Sequence, residues 1–237
     1  MNTVIIIPVR LNSRRLPNKV LIDIAGKSLI HRVVDQCLQT KLDVYVVTDS
    51  REVAVHLMSH CPDVNVLHQE VEAESGTERI SKVVDIIDAD NIINVQGDQP
   101  FIESESILEM KDYMENNPSY SIVTPIKRKL KGECGDSSKC KVVVNLKGKA
   151  VYFSRSPIPY NAETYWGHCG MYGYKKSFLQ DFRKLKDSPL ERAESLEQLR
   201  FIDNDIPIQT YETKHSIFSV DTQIDLIDAI EYATKVS

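Results

Sequence analysis

Four short apolar runs, Val4–Ile7, Val44–Val47, Asn65–Leu67 and Ile92–Val95, alternate with helix-patterned segments over the first hundred residues. Between them, Ser28–Thr40 puts Leu29, Ile30, Val33, Val34, Cys37 and Leu38 on one stripe. A second helix falls near Arg51–Ser59, and Ser75-Gly-Thr-Glu78 has the spacing of a capping box opening a helix through about Ile87. This rhythm predicts an α/β fold with a mainly parallel, twisted sheet and helices on both faces, hence three layers. The second half differs. Ser121–Ile126, Lys141–Asn145, Ala150–Ser154, Cys169–Tyr174 and Ile206–Tyr211 read as strands, with helices near Glu105–Met114, Leu190–Phe201 and Thr222–Thr234. Lys147-Gly148 joins two of these strands as a hairpin, and the charged, glycine-containing stretch Lys127–Lys139 is expected to be a loop. No repeat, low-complexity tract or clean linker appears, so residues 1–237 are read as one domain with a hairpin-containing lobe at about 127–175.

The first strand runs directly into a loop holding Arg10, Arg14, Arg15 and Lys19, with Pro8 and Pro17 stiffening its ends. The carboxyl end of a parallel strand is where open α/β sheets bind ligands. Arginine offers phosphate a bidentate fork and lysine a compact point charge, so the loop asks for a polyanion such as a nucleoside triphosphate. Residues 1–41 carry seven cations against two aspartates on a chain of net charge −5, which argues for a local anion site. It argues against a general nucleic-acid or membrane-surface binder, since both need an overall basic excess. Gly26-Lys27-Ser28 is not a Walker A loop, because Leu21 stands where the first glycine belongs. No G-x-G-x-x-G occurs either.

Asp98 follows the fourth strand in Asn94-Val-Gln-Gly-Asp98, and Asp221 lies in Ser219-Val-Asp-Thr222. Both are candidate oxygen ligands for Mg²⁺, which favours carboxylates together with substrate phosphates. Asp98 reads equally as a turn residue after Gly97, and Asp221 as the N-cap of the last helix. The five cysteines are odd in number, scattered and without a C-x-x-C pair, which supports neither a zinc site nor a disulfide framework. No apolar stretch approaches the ~20 residues of a membrane span, and a signal-peptide core is lacking at the start, so a reduced, cytoplasmic protein is expected.

Seven segments in register carry a resemblance: Ser13–Lys19, Ser75–Arg79, Asn94–Asp98, Tyr152–Arg155, His168–Tyr174, Leu196–Arg200 and Val220–Thr222. Together they resemble the 3-deoxy-manno-octulosonate (Kdo) cytidylyltransferase family over nearly the whole chain. The resemblance implies a Rossmann-like nucleotidyltransferase fold. It also implies an Mg²⁺-dependent reaction joining CTP to Kdo, giving CMP-Kdo and pyrophosphate for lipopolysaccharide assembly. On the family pattern, Lys19, Arg15 and Asp98 are the catalytic positions, and Asp98 with Asp221 holds the metal. Pro8, Arg10, Arg15, Lys19, Ser75, Gly76 and Arg79 face the nucleotide. Gln96, Arg155, His168, Tyr172, Glu197 and Gln198 match the sugar side, and the lobe is implied in sugar binding and homodimer contact. Taken singly, Tyr172 also reads as core, Arg155 as a surface strand charge, Glu197-Gln198 as a solvated helix face and His168 as a structural histidine.

Some positions depart from the family pattern. Val9 and Asn18 stand where alanine and glycine are more usual, and Asn18 can still adopt a turn conformation with positive φ at some cost. Gln99 replaces a usual glutamate and removes a negative charge beside the metal or sugar site. The stretch from Pro159 to His168 is short, implying a trimmed lobe. The alternatives are therefore a cytidylyltransferase for 8-amino-Kdo or another acidic sugar, and a non-catalytic nucleotide-binding relative.

Overall fold

Every residue of Thr3–Val9 is buried, as a Val/Ile-rich strand covered on both faces must be. The structure is a computed structural model that describes residues 1–13, 15–70 and 72–236, with the Val236 side chain excepted; Arg14 of the cationic loop lies outside the described residues. In chain order the strands are β1 Thr3–Val9, β2 Asp23–Ile24, β3 Lys27–Ser28, β4 Val44–Thr48, β5 Asn65–His68, β6 Asn91–Asn94, β7 Ile122–Leu130, β8 Lys141–Val144, β9 Ala150–Ser154, β10 Thr164–His168, β11 Tyr172–Lys175 and β12 Gln209–Glu212. The α-helices are α1 Leu29–Gln39, α2 Arg51–His60, α3 Gly76–Ser81, α4 Ser104–Asn116, α5 Lys176–Asp181, α6 Pro189–Glu194, α7 Gln198–Asp203 and α8 Gln223–Val236.

β5, β4, β1 and β6 lie side by side and parallel, with Ile5 opposite Val44 and Ile93. Beyond β6 the sheet continues antiparallel through β11, β7, β10, β8 and β9, while β12 pairs parallel with β7. Alternation along β1 divides the core in two. Ile5, Ile7 and Val9 pack with α1, α2, α4 and α8; Val4 and Ile6 pack with α3, α5 and α7. Serines set the helix starts: Ser28, Ser50, Ser75 and Ser188 each accept a backbone N–H from three residues on.

Four local expectations are corrected. β7 extends through Leu130 into the stretch expected as a loop, because β10 supplies a pairing partner; Arg128 lies over the Trp166 ring at 4.8 Å. β10 itself is weakly marked in sequence, since Thr164-Tyr-Trp-Gly-His168 alternates poorly. The strand expected at Cys169–Tyr174 begins only at Tyr172, after Gly170 with φ 69°. The helix expected over Leu190–Phe201 breaks at Ser195, whose φ of 53° directs the chain into α7. The Ser75 helix ends at Ser81, whose hydroxyl bonds back to the Glu78 carbonyl at 2.8 Å, and a 3₁₀ turn follows at Val84–Ile86.

Candidate active site

The loop after β1 is pinned by its apolar residues. Leu16 and Val20 are buried in the core layer under α1, and Asn18 adopts φ 53°, the left-handed turn its type tolerates. The chain between these anchors forms a 3₁₀ turn over Lys19–Leu21, which directs Lys19 toward the carboxyl ends of β1 and β6. A cleft of about 690 Å³ opens there. Pro8, Arg10, Arg15 and Lys19 line one side, and Ser75, Gly76 and Arg79 of α3 and its cap line another. Gln96, Asp98, Asp221 and Arg155 complete it. Gly76 is needed for this close approach, since a Cβ would meet the Pro8 ring at 3.1 Å.

The centre of the cleft is a three-way ion pair. Lys19 Nζ donates to Asp98 Oδ2 at 2.8 Å, Asp221 Oδ1 at 2.9 Å and the Val220 carbonyl at 3.0 Å. Those contacts use all three ammonium hydrogens. Arg15 Nη2 adds a second cation on Asp221 Oδ1 at 2.9 Å. Asp221 does not cap the last helix. Thr222 does, accepting from Asp225 N–H, while the Asp225 carboxylate accepts from the backbone of Asp221 and Thr222. The Asp221 carboxylate is thereby left for the cleft.

Burial pulls the Lys19 pKa down, but Asp98 and Asp221 outweigh it and raise it. Burial pushes Asp221 up, but Lys19 and Arg15 lower it overall. The raised lysine contributes stability that is complete below its unfolded value of about 10.4 and is lost as pH climbs through the folded value. The depressed carboxylate contributes above about 3.9 and is lost as pH falls through its folded value. Lys19 and Asp221 are therefore both charged throughout the neutral range.

Asp98 and Asp221 converge on one ammonium and could hold a divalent cation in its neighbourhood. Oxygen donors from Asp98 and Asp221 suit Mg²⁺ when phosphate oxygens supply further ligands, so the residues present fit that ion. Among the described residues no third carboxylate, histidine or cysteine joins them.

Arg79 is buried and paired with Asp49 Oδ2 at 2.6 Å. Sequence reasoning passed over Asp49, although it follows β4 as Asp98 follows β6 and occupies the same edge of the sheet. Asp49, Glu72, Glu78 and Arg200 line a neighbouring depression of about 820 Å³ that shares Arg10 and Arg79 with the cleft.

Of the residues expected on the sugar side, Gln96 and Arg155 line the cleft. Arg155 Nε bonds the Glu194 carbonyl at 3.0 Å, Nη1 those of Ser137 and Ser138, and Nη2 that of Ser195. One Nη2 hydrogen is left over. Beneath it, buried Lys141 donates to the carbonyls of Asp136 and Lys139, each at 2.8 Å, and of Arg155 at 2.5 Å, tying loop and strand together.

His168, Tyr172, Glu197 and Gln198 do not line the cleft, and of the four Glu197 reaches it through its hydrogen bond from Ser75. Gln198 is buried with its amide on Cys140 Sγ at 3.5 Å, and Tyr172 packs between His168 and Tyr174. His168 Nε2 bonds Thr124 Oγ1 at 2.9 Å. Thr124 donates its own hydrogen to the Met171 carbonyl, so the histidine is the donor in this contact. Gln99 is 1 % exposed and turned toward the Cys169 carbonyl, so the charge expected to be missing beside the site is not presented to the cleft.

Burial lowers His168 to about 4. A folded value below the ordinary 6.5 contributes stability that is full above 6.5 and lost as pH falls to about 4, amounting to about 3 kcal/mol. His168→Gln is therefore expected to lose about 3 kcal/mol less than wild type over this range in urea denaturation, and an equal loss in both proteins contradicts the assignment.

A family model described as cytidylyltransferase matches residues 4–226. The 3-deoxy-manno-octulosonate cytidylyltransferase of Rickettsia prowazekii is 41% identical over 238 residues, covering 98% of this chain and 96% of the relative. That of Rickettsia typhi is 42% identical, covering 99% and 98%. A solved structure of CMP:2-keto-3-deoxy-manno-octonic acid synthetase complexed with CTP superposes with TM-score 0.93 at 35% identity, covering all of both chains. The chain belongs to the cytidylyltransferase family and, within it, to the 3-deoxy-manno-octulosonate cytidylyltransferases.

Proposed function

We propose that this protein transfers the CMP group of CTP to 3-deoxy-D-manno-octulosonate and releases pyrophosphate, supplying an activated acidic sugar for lipopolysaccharide assembly. The observation that carries this reading is the Lys19–Asp98–Asp221 cluster at the junction of the cationic loop and the β6 end. Phosphoryl chemistry asks little covalent help of the protein, so positioning and charge neutralisation dominate.

Arg10, Arg15 and Lys19 hold the triphosphate and offset the charge on the departing pyrophosphate. Asp98 and Asp221 would hold Mg²⁺, which when bound neutralises the α-phosphate and makes the attacking hydroxyl more acidic. Ser75, Gly76 and Arg79 place the nucleoside, with Asp49 fixing the Arg79 guanidinium. Arg155 and Gln96 receive the sugar acid, and the oxygen of its anomeric hydroxyl attacks the α-phosphorus in line. The same reading makes the protein a cytoplasmic homodimer contacting its copy through the lobe, where Leu130, Val151 and Tyr160 are exposed. Among the described residues no helix is long and apolar enough to cross a membrane.

The test is pyrophosphate release from CTP, UTP, ATP and GTP against Kdo, 8-amino-Kdo and sialic acid. Release is expected with CTP and Kdo. Release with only another sugar reassigns the acceptor, and CTP binding without release from any pair favours the sensor. Arg155→Ala is expected to raise KM for the sugar about 10- to 100-fold while leaving that for CTP within about twofold. A large CTP defect with unchanged sugar dependence puts Arg155 on the other substrate.

A further inference from the structure

The proposed reaction frees a proton from the acceptor hydroxyl, and its destination is built into the cleft wall. Ser75 lines the cleft at the head of α3. Its Oγ accepts the Glu78 N–H at 3.1 Å and donates to Glu197 Oε1 at 2.5 Å. A serine hydroxyl has one donor and two acceptor sites, so one lone pair is still open to a donor. Glu197 stands behind the serine, set back from the cleft lining.

The groups facing Glu197 come from four elements: Ser75 and Thr77 at α3, Tyr172 and Tyr174 of β11, Glu191 of α6 and Arg200 of α7. The one cation, Arg200, is engaged with Glu191 at 2.6 Å. Among the described residues Glu197 forms no ion pair. Burial pushes it up to about 7 against the hydrogen bonds from Ser75 and Thr77. Asp98 and Asp221 are already the partners of Lys19, His168 does not line the cleft, and Glu74, which does, is 88% exposed at the side chain.

We propose that Ser75 and Glu197 form a relay that carries away the hydroxyl proton of the acceptor sugar during transfer. The inference rests on the nucleotidyl-transfer reading above. As the sugar oxygen bonds to the α-phosphorus, the bond to pyrophosphate breaks and its electron pair leaves with pyrophosphate. The sugar proton passes to Ser75 Oγ while the serine's own proton moves to Glu197 Oε1. Ser75 ends neutral, and Glu197 is protonated once per turnover and sheds that proton to solvent before the next.

The test compares wild type with Ser75→Thr, Ser75→Asn and Glu197→Gln. Asparagine keeps the helix cap but lacks a hydroxyl to pass a proton, whereas threonine keeps both. Wild-type kcat is expected to rise with pH through an inflection near 7 that Glu197→Gln lacks. Ser75→Asn and Glu197→Gln are expected to lower kcat about 10²-fold or more, with the CTP affinity of Glu197→Gln within about threefold of wild type and Ser75→Thr retaining most of the rate. Wild-type kcat in Ser75→Asn, or a pH profile flat through neutrality, overturns the relay. If no sugar yields pyrophosphate, the transfer reading fails instead. Infrared titration of the CTP complex then judges the pair, expecting a carboxylic-acid band near neutrality that Glu197→Gln lacks. No such band overturns it.

Discussion

Asp98→Asn lowers kcat on the order of 10³-fold while CTP binding survives within about tenfold. The expectation follows from where the carboxylate sits and what touches it. Asp98 follows the β6 end, and its Oδ2 meets the Lys19 ammonium at 2.8 Å. An amide keeps the size and the turn but removes the charge, so on the proposed reading a divalent cation would lose one of its two protein carboxylates. Lys19 loses one of its two ionic anchors at the same time. Binding is spared because Arg10, Arg15 and Arg79 remain. Pyrophosphate release measures the first effect and titration calorimetry with CTP the second. Turnover at the wild-type rate removes Asp98 from the metal site.

Lys19→Met is expected to lower kcat about 10²- to 10³-fold and also to weaken CTP binding about tenfold, which separates it from Asp98→Asn. The ammonium is 12 % exposed at the side chain and donates to both carboxylates and to Val220. Methionine approximates its apolar stem without the ammonium and leaves the two carboxylates facing each other with only Arg15 on Asp221. Like charges sharing a site disfavour ionisation, so the lowered Asp221 pKa climbs and the protein loses stability from a higher pH as acid is added. Lys19→Arg is not expected to restore the rate, because a planar fork cannot reproduce three contacts radiating from one nitrogen. A methionine variant with wild-type kcat and unchanged acid stability contradicts the cluster's role.

Legibility in the sequence tracked how local each cause is. β1, β4 and β6 were visible because strands buried on both faces are continuous apolar runs, the edge strand β5 showed only its short Val66-Leu67 run, and the parallel direction of all four followed from the intervening helices. The serines marked the starts of α1 and α3 within a residue or two, although the end of α3 fell short of the expected Ile87. Lys19 and Asp98 were found because each lies just past such a strand. What escaped depends on distant partners. β10 is held in place by β7 and β8 despite a weak pattern of its own. The α6–α7 break is held by Arg155, some forty residues earlier, through the Glu194 and Ser195 carbonyls. Glu197 and Ser75 are 122 residues apart, and nothing in either local pattern announces their hydrogen bond. Asp49 was legible by the same strand-end rule that found Asp98 and was passed over for want of a surrounding motif.

The central claim is that this cleft joins a sugar hydroxyl to the α-phosphorus of CTP. Phosphorus-31 NMR of the protein with CTP, Mg²⁺ and Kdo tests it in one sample. The account predicts loss of all three CTP resonances, growth of one phosphodiester signal and an equimolar amount of pyrophosphate. CTP resonances that broaden on binding but persist unchanged in amount, with neither product formed, contradict it.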